Sequence, residues 1–276
     1  MHIVLIVLAG LAGLTVLWFL LMYTKRQDAE FHGLAGHSYA HRGLHDEAQG
    51  IPENSMAAFR LALENGYGAE LDVRITKDGQ LVIMHDESLL RTTGVDREVH
   101  DCTLEELRRI CLNGTREKIP LFREVLELFA GKAPLVIEAK TYKSNCPVLM
   151  TAICKLLDEY PDLQYCIESF DPRVPFWLRR HRPEIIRGQL SLNFFRERNG
   201  QNLAVMFIMT NLLLNFLTLP HFIAFKFKHR NTWALRLCRK LWGVQEFGWT
   251  VENEGEIEEA TADHCLMIFE HCHPAK

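Results

Sequence analysis

Eight short β-rich runs alternate with helical patterns, and several of the runs close on an acid or a histidine. An uncharged apolar stretch of about twenty residues precedes them all. These observations predict an α/β fold: a TIM (β/α)8 barrel with a small insertion after its second strand, behind one N-terminal transmembrane helix. The chain has 276 residues, 48% hydrophobic and 24% charged, which suffices for one large barrel core.

The apolar stretch runs from Ile3 to Met22 and is followed by Lys25 and Arg26. At 1.5 Å per residue it spans an apolar bilayer core of about 30 Å. A cleaved signal would show a basic start, a shorter apolar run and small residues before the cut. Met1-His2 lacks the basic start, and Trp18, Phe19 and Leu20 occupy the place of the small residues. We therefore expect a retained single-pass anchor over residues 1–24 and a linker over 25–37. Lys25 and Arg26 predict that the domain after them lies in the cytoplasm. The eight cysteines form no CxxC pair and read as free thiols in a reducing compartment, which agrees.

The barrel domain is expected over 38–276. Its strands are Ser38–His41, Ala69–Val73, Leu135–Ala139, Tyr165–Ser169, Ile185–Leu190, Phe222–Phe227, Val244–Thr250 and Cys265–Glu270. A helix from about Ser55 to Asn65, with Asn54 as N-cap and Gly66 as stop, joins the first two. Further helices are expected over Leu121–Ala130, Pro147–Glu159, Val174–Arg180, Ala204–Leu217, Thr232–Leu241 and Glu254–Ala262. Leu81–His85 also has a strand pattern, but only the Lys77–Gln80 turn separates it from the second strand. So short a link makes an antiparallel hairpin and not a parallel crossover. The segment therefore lies outside the barrel, in an insertion over about 73–117, and carries His85 back to the C-terminal rim, where active sites of this fold lie. The Ala204–Leu217 helix is apolar on nearly every face. It is either covered by another segment or subunit, or it rests in the inner leaflet.

Glu70 and Asp72 lie two apart on the second strand and so point to one side, and Glu138 ends the third strand. Three clustered carboxylates repel one another and call for a cation; an all-oxygen set favours Mg2+ or Ca2+. His41 and His85 close strand-like runs at the same rim, and a histidine pair can divide general acid and base work. Arg42 offers a planar fork for a phosphate, and Lys140, two residues beyond Glu138, should face the same way. A net charge of −4 and the lack of any basic-aromatic motif disfavour nucleic acid as a partner.

The run His41-Arg42-Gly43, Pro52-Glu53-Asn54-Ser55, Ala58-Phe59, Glu70-Leu71-Asp72-Val73, Thr76-Lys77-Asp78-Gly79 and His85-Asp86 resembles the glycerophosphodiester phosphodiesterase family in order and spacing. Ile137-Glu138-Ala139-Lys140, Ser169-Phe170 and Trp249-Thr250-Val251 continue the resemblance more loosely, with Trp249 as a pocket residue. The family implies hydrolysis of glycerophosphodiesters to glycerol 3-phosphate and an alcohol through a cyclic phosphate. It implies a divalent metal on Glu70, Asp72 and Glu138, with His41 and His85 catalytic. Where the family often ends in Ile-Thr-Asp, this chain has Ile268-Phe269-Glu270, the same charge on a longer arm. Two other readings stand beside this one. The first is a lysophospholipase D or phospholipase-C-like activity on a lipid still in the bilayer. The second is a membrane-tethered phosphodiester-binding protein without catalysis.

Overall fold

The computed structural model describes residues 2–24, 31, 33–198 and 200–275. Lys25 and Arg26, on which the expected orientation rests, lie outside the described residues, as does much of the expected linker. The chain begins with α1 (His2–Met22), a helix long and apolar enough to cross a membrane. It continues through β1 (Tyr39–Ala40), α2 (Met56–Glu64), β2 (Gly68–Ile75) and β3 (Leu81–Ile83), then two single-turn helices, α3 (Leu90–Thr93) and α4 (Leu104–Leu107). Strand and helix then alternate: α5 (Phe122–Phe129), β4 (Leu135–Ala139), α6 (Cys146–Leu157), β5 (Tyr165–Ser169), α7 (Arg173–His181) and β6 (Arg187–Ser191). After α8 (Leu203–Thr210) and α9 (Asn215–Thr218) come β7 (Phe222–Lys226), α10 (Trp233–Trp242), β8 (Gln245–Val251), α11 (Glu254–Ala262) and β9 (Leu266–Phe269).

The strands pair in parallel in the order β1-β2-β4-β5-β6-β7-β8-β9, and β9 pairs with β1, so the eight-stranded barrel closes. β3 stands outside it as the expected hairpin partner, antiparallel to β2 with Ile83 opposite Val73. The return continues as the Met84 N–H donates to the Asp72 carbonyl at 2.9 Å, which brings His85 to the rim. From there to α5 the chain packs a small core of its own, with Val82, Met84, Leu89, Val99, Cys102 and Leu107 among its members.

Outer helices bury one stripe each. In α5 that stripe is Phe122, Val125, Leu126 and Phe129; in α6 it is Cys146, Leu149, Met150, Ile153, Cys154 and Leu157. The floor of the barrel interior is apolar, formed by Tyr39, Val136, Cys166, Phe222 and Phe247. Phe222 and Phe247 meet at 4.4 Å between ring centroids. Residue 188 must be glycine for this, since a Cβ there would stand 2.1 Å from the Phe222 ring.

Two expectations are corrected. The N-cap of α2 is Ser55, whose side chain accepts the Ala58 N–H; Asn54 instead turns inward to the site. The Ala204–Leu217 helix is two helices. The Asn211 amide bonds the Phe207 carbonyl at the end of α8, Leu212 turns left-handed at φ 56°, and α9 starts at Asn215. The break tucks Leu212 and Leu213 under the end of α1, against Met22, Leu235 and Cys238. Part of the surplus greasiness is thus covered by another segment. Leu203, Val205 and Phe207 stay exposed.

Candidate active site

Parallel register sets Asp72, Glu138 and Glu168 side by side on β2, β4 and β5. Glu70 lies one inward-facing position below Asp72. All four are at most 7% exposed, above an apolar floor. Oxygens of Glu70, Asp72 and Glu138 come within 4.8 Å of one another. The structure therefore brings the three predicted carboxylates together.

Burial and the neighbouring carboxylates push Glu70 well above the usual carboxylate range, and burial raises Glu138 and Glu168 as well. Asp72 is equally buried, yet Lys140, His85 and Arg42 outweigh that cost and hold it well below. The Lys140 ammonium lies 2.7 Å from Glu138 and 3.1 Å from Asp72. The Asn54 amide donates to Asp72 Oδ2 at 2.8 Å, and the Arg42 backbone N–H donates to Glu70 at 3.1 Å. The Arg42 guanidinium bonds Glu53 at 3.0 Å and stands 3.7 Å from Asp72. The turn that aims Arg42 ends on Gly43 at φ 79°, where a Cβ would press on Ala58 at 2.8 Å.

Each histidine is held by a carboxylate. His41 Nδ1 is 2.8 Å from Glu270 and His85 Nδ1 is 2.7 Å from Asp86. Glu270 is kept well below the usual range, with His41 and His45 bonds outweighing burial. Asp86 is lowered too, and Arg91 bonds both Asp86 and Glu53. With ionised partners, each Nδ1 carries a proton and donates it, which leaves Nε2 as the nitrogen that can take or give a further proton. Burial lowers both imidazoles, His85 to about 4.

His41, Arg42, Glu70, His85, Glu138, Glu168, Phe170 and Trp249 line one cavity of about 40 Å3 at the C-terminal rim. Beside it, Glu53, Glu270, His45 and His271 line an open cleft of about 680 Å3. Sequence reasoning missed Glu168, Asn54 and the clamp function of Glu270. Glu168 had a readable signal, because Tyr165-Cys-Ile-Glu-Ser repeats the Ile-Glu placement of Leu135-Val-Ile-Glu-Ala.

A closed parallel barrel with acids, basic side chains and carboxylate-fixed histidines converging at the C-terminal rim defines a (β/α)8-barrel enzyme class. The chain belongs to the glycerophosphoryl diester phosphodiesterase family, whose model matches residues 41–265. It is 42% identical over 129 residues to a glycerophosphodiester phosphodiesterase of Caldanaerobacter subterraneus, covering 44% of this chain and 52% of that one. It is 27% identical over 245 residues to human glycerophosphodiester phosphodiesterase 1, covering 79% of this chain and 72% of that one. The match to the first of these thus spans about half its length. The fold is that of an Oleispira antarctica phosphodiesterase solved with the product sn-glycerol-3-phosphate, at TM-score 0.69 and 22% identity, covering 86% of this chain and 93% of that one.

Proposed function

We propose that this chain hydrolyses glycerophosphodiesters to glycerol 3-phosphate and an alcohol. The observation that carries the proposal is the pairing of two carboxylate-fixed histidines with the carboxylate cluster on one cavity. One histidine removes the proton of the glycerol hydroxyl next to the phosphate as that oxygen attacks phosphorus. The other, which enters the step protonated at Nε2, gives that proton to the departing alcohol, leaving a cyclic phosphate. Water then opens the ring with the roles reversed. Arg42, and Lys140 once drawn off the carboxylates, are the donors for the phosphate oxygens.

Glu70, Asp72 and Glu138 fit a hard divalent cation, Mg2+ or Ca2+: all three donors are oxygens, they are buried, and Lys140 already supplies the cluster with a positive charge. When bound, such an ion lowers the pKa of a hydroxyl and stabilises charge on phosphorus. In this reading residues 1–24 are the anchor, 25–37 the linker and 38–276 the catalytic domain, held on the cytoplasmic side. A second reading, lysophospholipase D activity, is favoured by α1 and by the exposed apolar residues of α8.

A substrate panel assayed with Mg2+, Ca2+ and chelator tests both. Turnover of glycerophosphocholine or glycerophosphoethanolamine that chelator abolishes supports the first reading, and preference for lysophospholipids supports the second. No turnover of either class with metal present would leave a phosphodiester-binding protein.

A further inference from the structure

A groove of about 350 Å3 runs along α1, lined by Leu11, Leu14, Trp18, Met22 and Trp233. Its wall is apolar, and Leu11–Met22 rises about 16 Å at 1.5 Å per residue. That is about one leaflet of a 30 Å apolar core. The groove meets a second cleft of about 530 Å3, which shares Trp18 and Trp233 with it and adds Arg196, His229 and Thr232. Trp18 and Trp233 stack edge to face at 4.6 Å where the two join.

The second cleft has unused polar capacity. Trp18 Nε1, His229 Nδ1 and Thr232 Oγ1 are buried there without a hydrogen-bond partner among the described residues, and His229 is only 9% exposed. Thr232 is the N-cap of the ten-residue α10, yet its side chain makes no capping bond. The first turn of such a helix presents free N–H groups and a partial positive charge. Arg196 adds a full one; the neighbouring Glu197 is engaged by Lys226 and also lies 3.7 Å from His229 Nε2, on the side of the ring away from the unpaired Nδ1. Unpaired buried donors are costly, so they point to a ligand that satisfies them.

We propose that the two clefts form one binding site for a glycerophospholipid of the surrounding bilayer. Its phosphate sits at the N-terminus of α10, among Arg196, Thr232 and the Trp18 indole N–H, and one acyl chain fills the groove between α1 and Trp233. The bilayer is the source because the groove follows a helix long enough to cross it. The site does not depend on the reading of the catalytic cavity, but it adjoins it. The Phe194 N–H donates to Thr210 in the cleft wall, and the Phe194 ring packs at 6.3 Å on Phe170, which lines the catalytic mouth.

The test uses the full chain in detergent, titrated with phosphatidylglycerol carrying a brominated acyl chain, which quenches nearby tryptophans. Quenching should saturate. Arg196→Gln and Thr232→Val should each weaken the apparent affinity about tenfold, since each removes a phosphate contact and the arginine contact is charge-assisted. Arg196 is exposed and Thr232 makes no capping bond, so both variants should keep the wild-type melting curve. A brominated fatty alcohol, which has no phosphate, should quench wild type and variants alike. Unsaturable quenching, or identical phospholipid curves for wild type and both variants, would show only lipid surrounding α1 and overturn the site.

Discussion

Glu70 and Asp72 stand two residues apart on one strand, yet their surroundings push them in opposite directions. Asp72 touches Lys140 and Asn54, while Glu70 receives one backbone N–H and faces three other carboxylates. A carboxyl whose folded pKa exceeds its unfolded value near 4.5 stabilises the fold below that value. The contribution fades as pH rises through the raised folded pKa. Metal-free protein should therefore lose stability through Glu70 as pH rises above the ordinary carboxylate range. A bound divalent ion displaces the proton and offsets the loss. The rise in melting temperature on adding Mg2+ or Ca2+ should be larger at pH 8 than at pH 5, and Glu70→Gln should flatten the difference. An increment equal at both pH values would contradict the assignment of Glu70.

The histidines give a second prediction at this scale. His41→Ala and His85→Ala should each cost at least about a hundredfold in kcat, the usual size of acid–base catalysis. The double variant should lose less than the product of the two, because they act as a unit. Glu270 holds His41 by a 2.8 Å contact, so Glu270→Gln should lower kcat about tenfold or more and leave KM near wild type. A change confined to KM would mean that Glu270 touches substrate instead.

At the scale of elements, outer helices support the strands without touching the chemistry. Phe129 is fully buried where α5 packs against α2, its ring 6.4 Å from Phe59. Phe129→Ala should cost about 3–5 kcal/mol in urea unfolding, the usual range for a buried phenylalanine. Its kcat/KM at a temperature where it stays folded should remain near wild type.

The same local logic explains what the sequence made readable. The β2–β3 hairpin was legible because four residues, Lys77–Gln80, can only reverse a chain. Placing His85 at the rim followed from it. The eight barrel strands were legible from their apolar runs, Leu135–Ala139 and Tyr165–Ser169 at both ends and the rest with ends shifted by at most two residues. The clamp of Glu270 on His41 was not, because it spans 229 positions and exists only once β9 closes onto β1. The break between α8 and α9 was hidden for a similar reason. Asn211 and Asn215 look like isolated polar residues in a greasy run. Their partners, the Phe207 carbonyl and the Met22 carbonyl on α1, appear only in the fold.

At the scale of the whole molecule, α1 packs on the barrel. Met22 and Thr24 are fully buried, and the Thr24 hydroxyl donates to the Pro220 carbonyl at 2.6 Å. Met22 packs with Leu212, Leu213, Leu235 and Cys238, and Trp18 stacks on Trp233. A chain shortened to begin at Gln27 keeps all the barrel strands and loses these contacts. Burial of Met22 contributes about 1.5–3 kcal/mol. The Thr24 hydrogen bond adds about 1 kcal/mol. A loss near 3 kcal/mol lowers the melting temperature of a domain this size by about 6–12 °C. The shortened protein should melt that much lower than the full chain in the same detergent. It should also bind a hydrophobic dye, because Leu212, Leu213 and Leu235 lose their cover. The centre is held by β2, β4 and β5, so turnover of a soluble glycerophosphodiester below the lowered melting temperature should persist within about threefold, a kcat change of under 1 kcal/mol. Identical melting of the two proteins, with no added dye binding, would mean that α1 does not pack on the barrel. The lipid cleft between them would then have no wall.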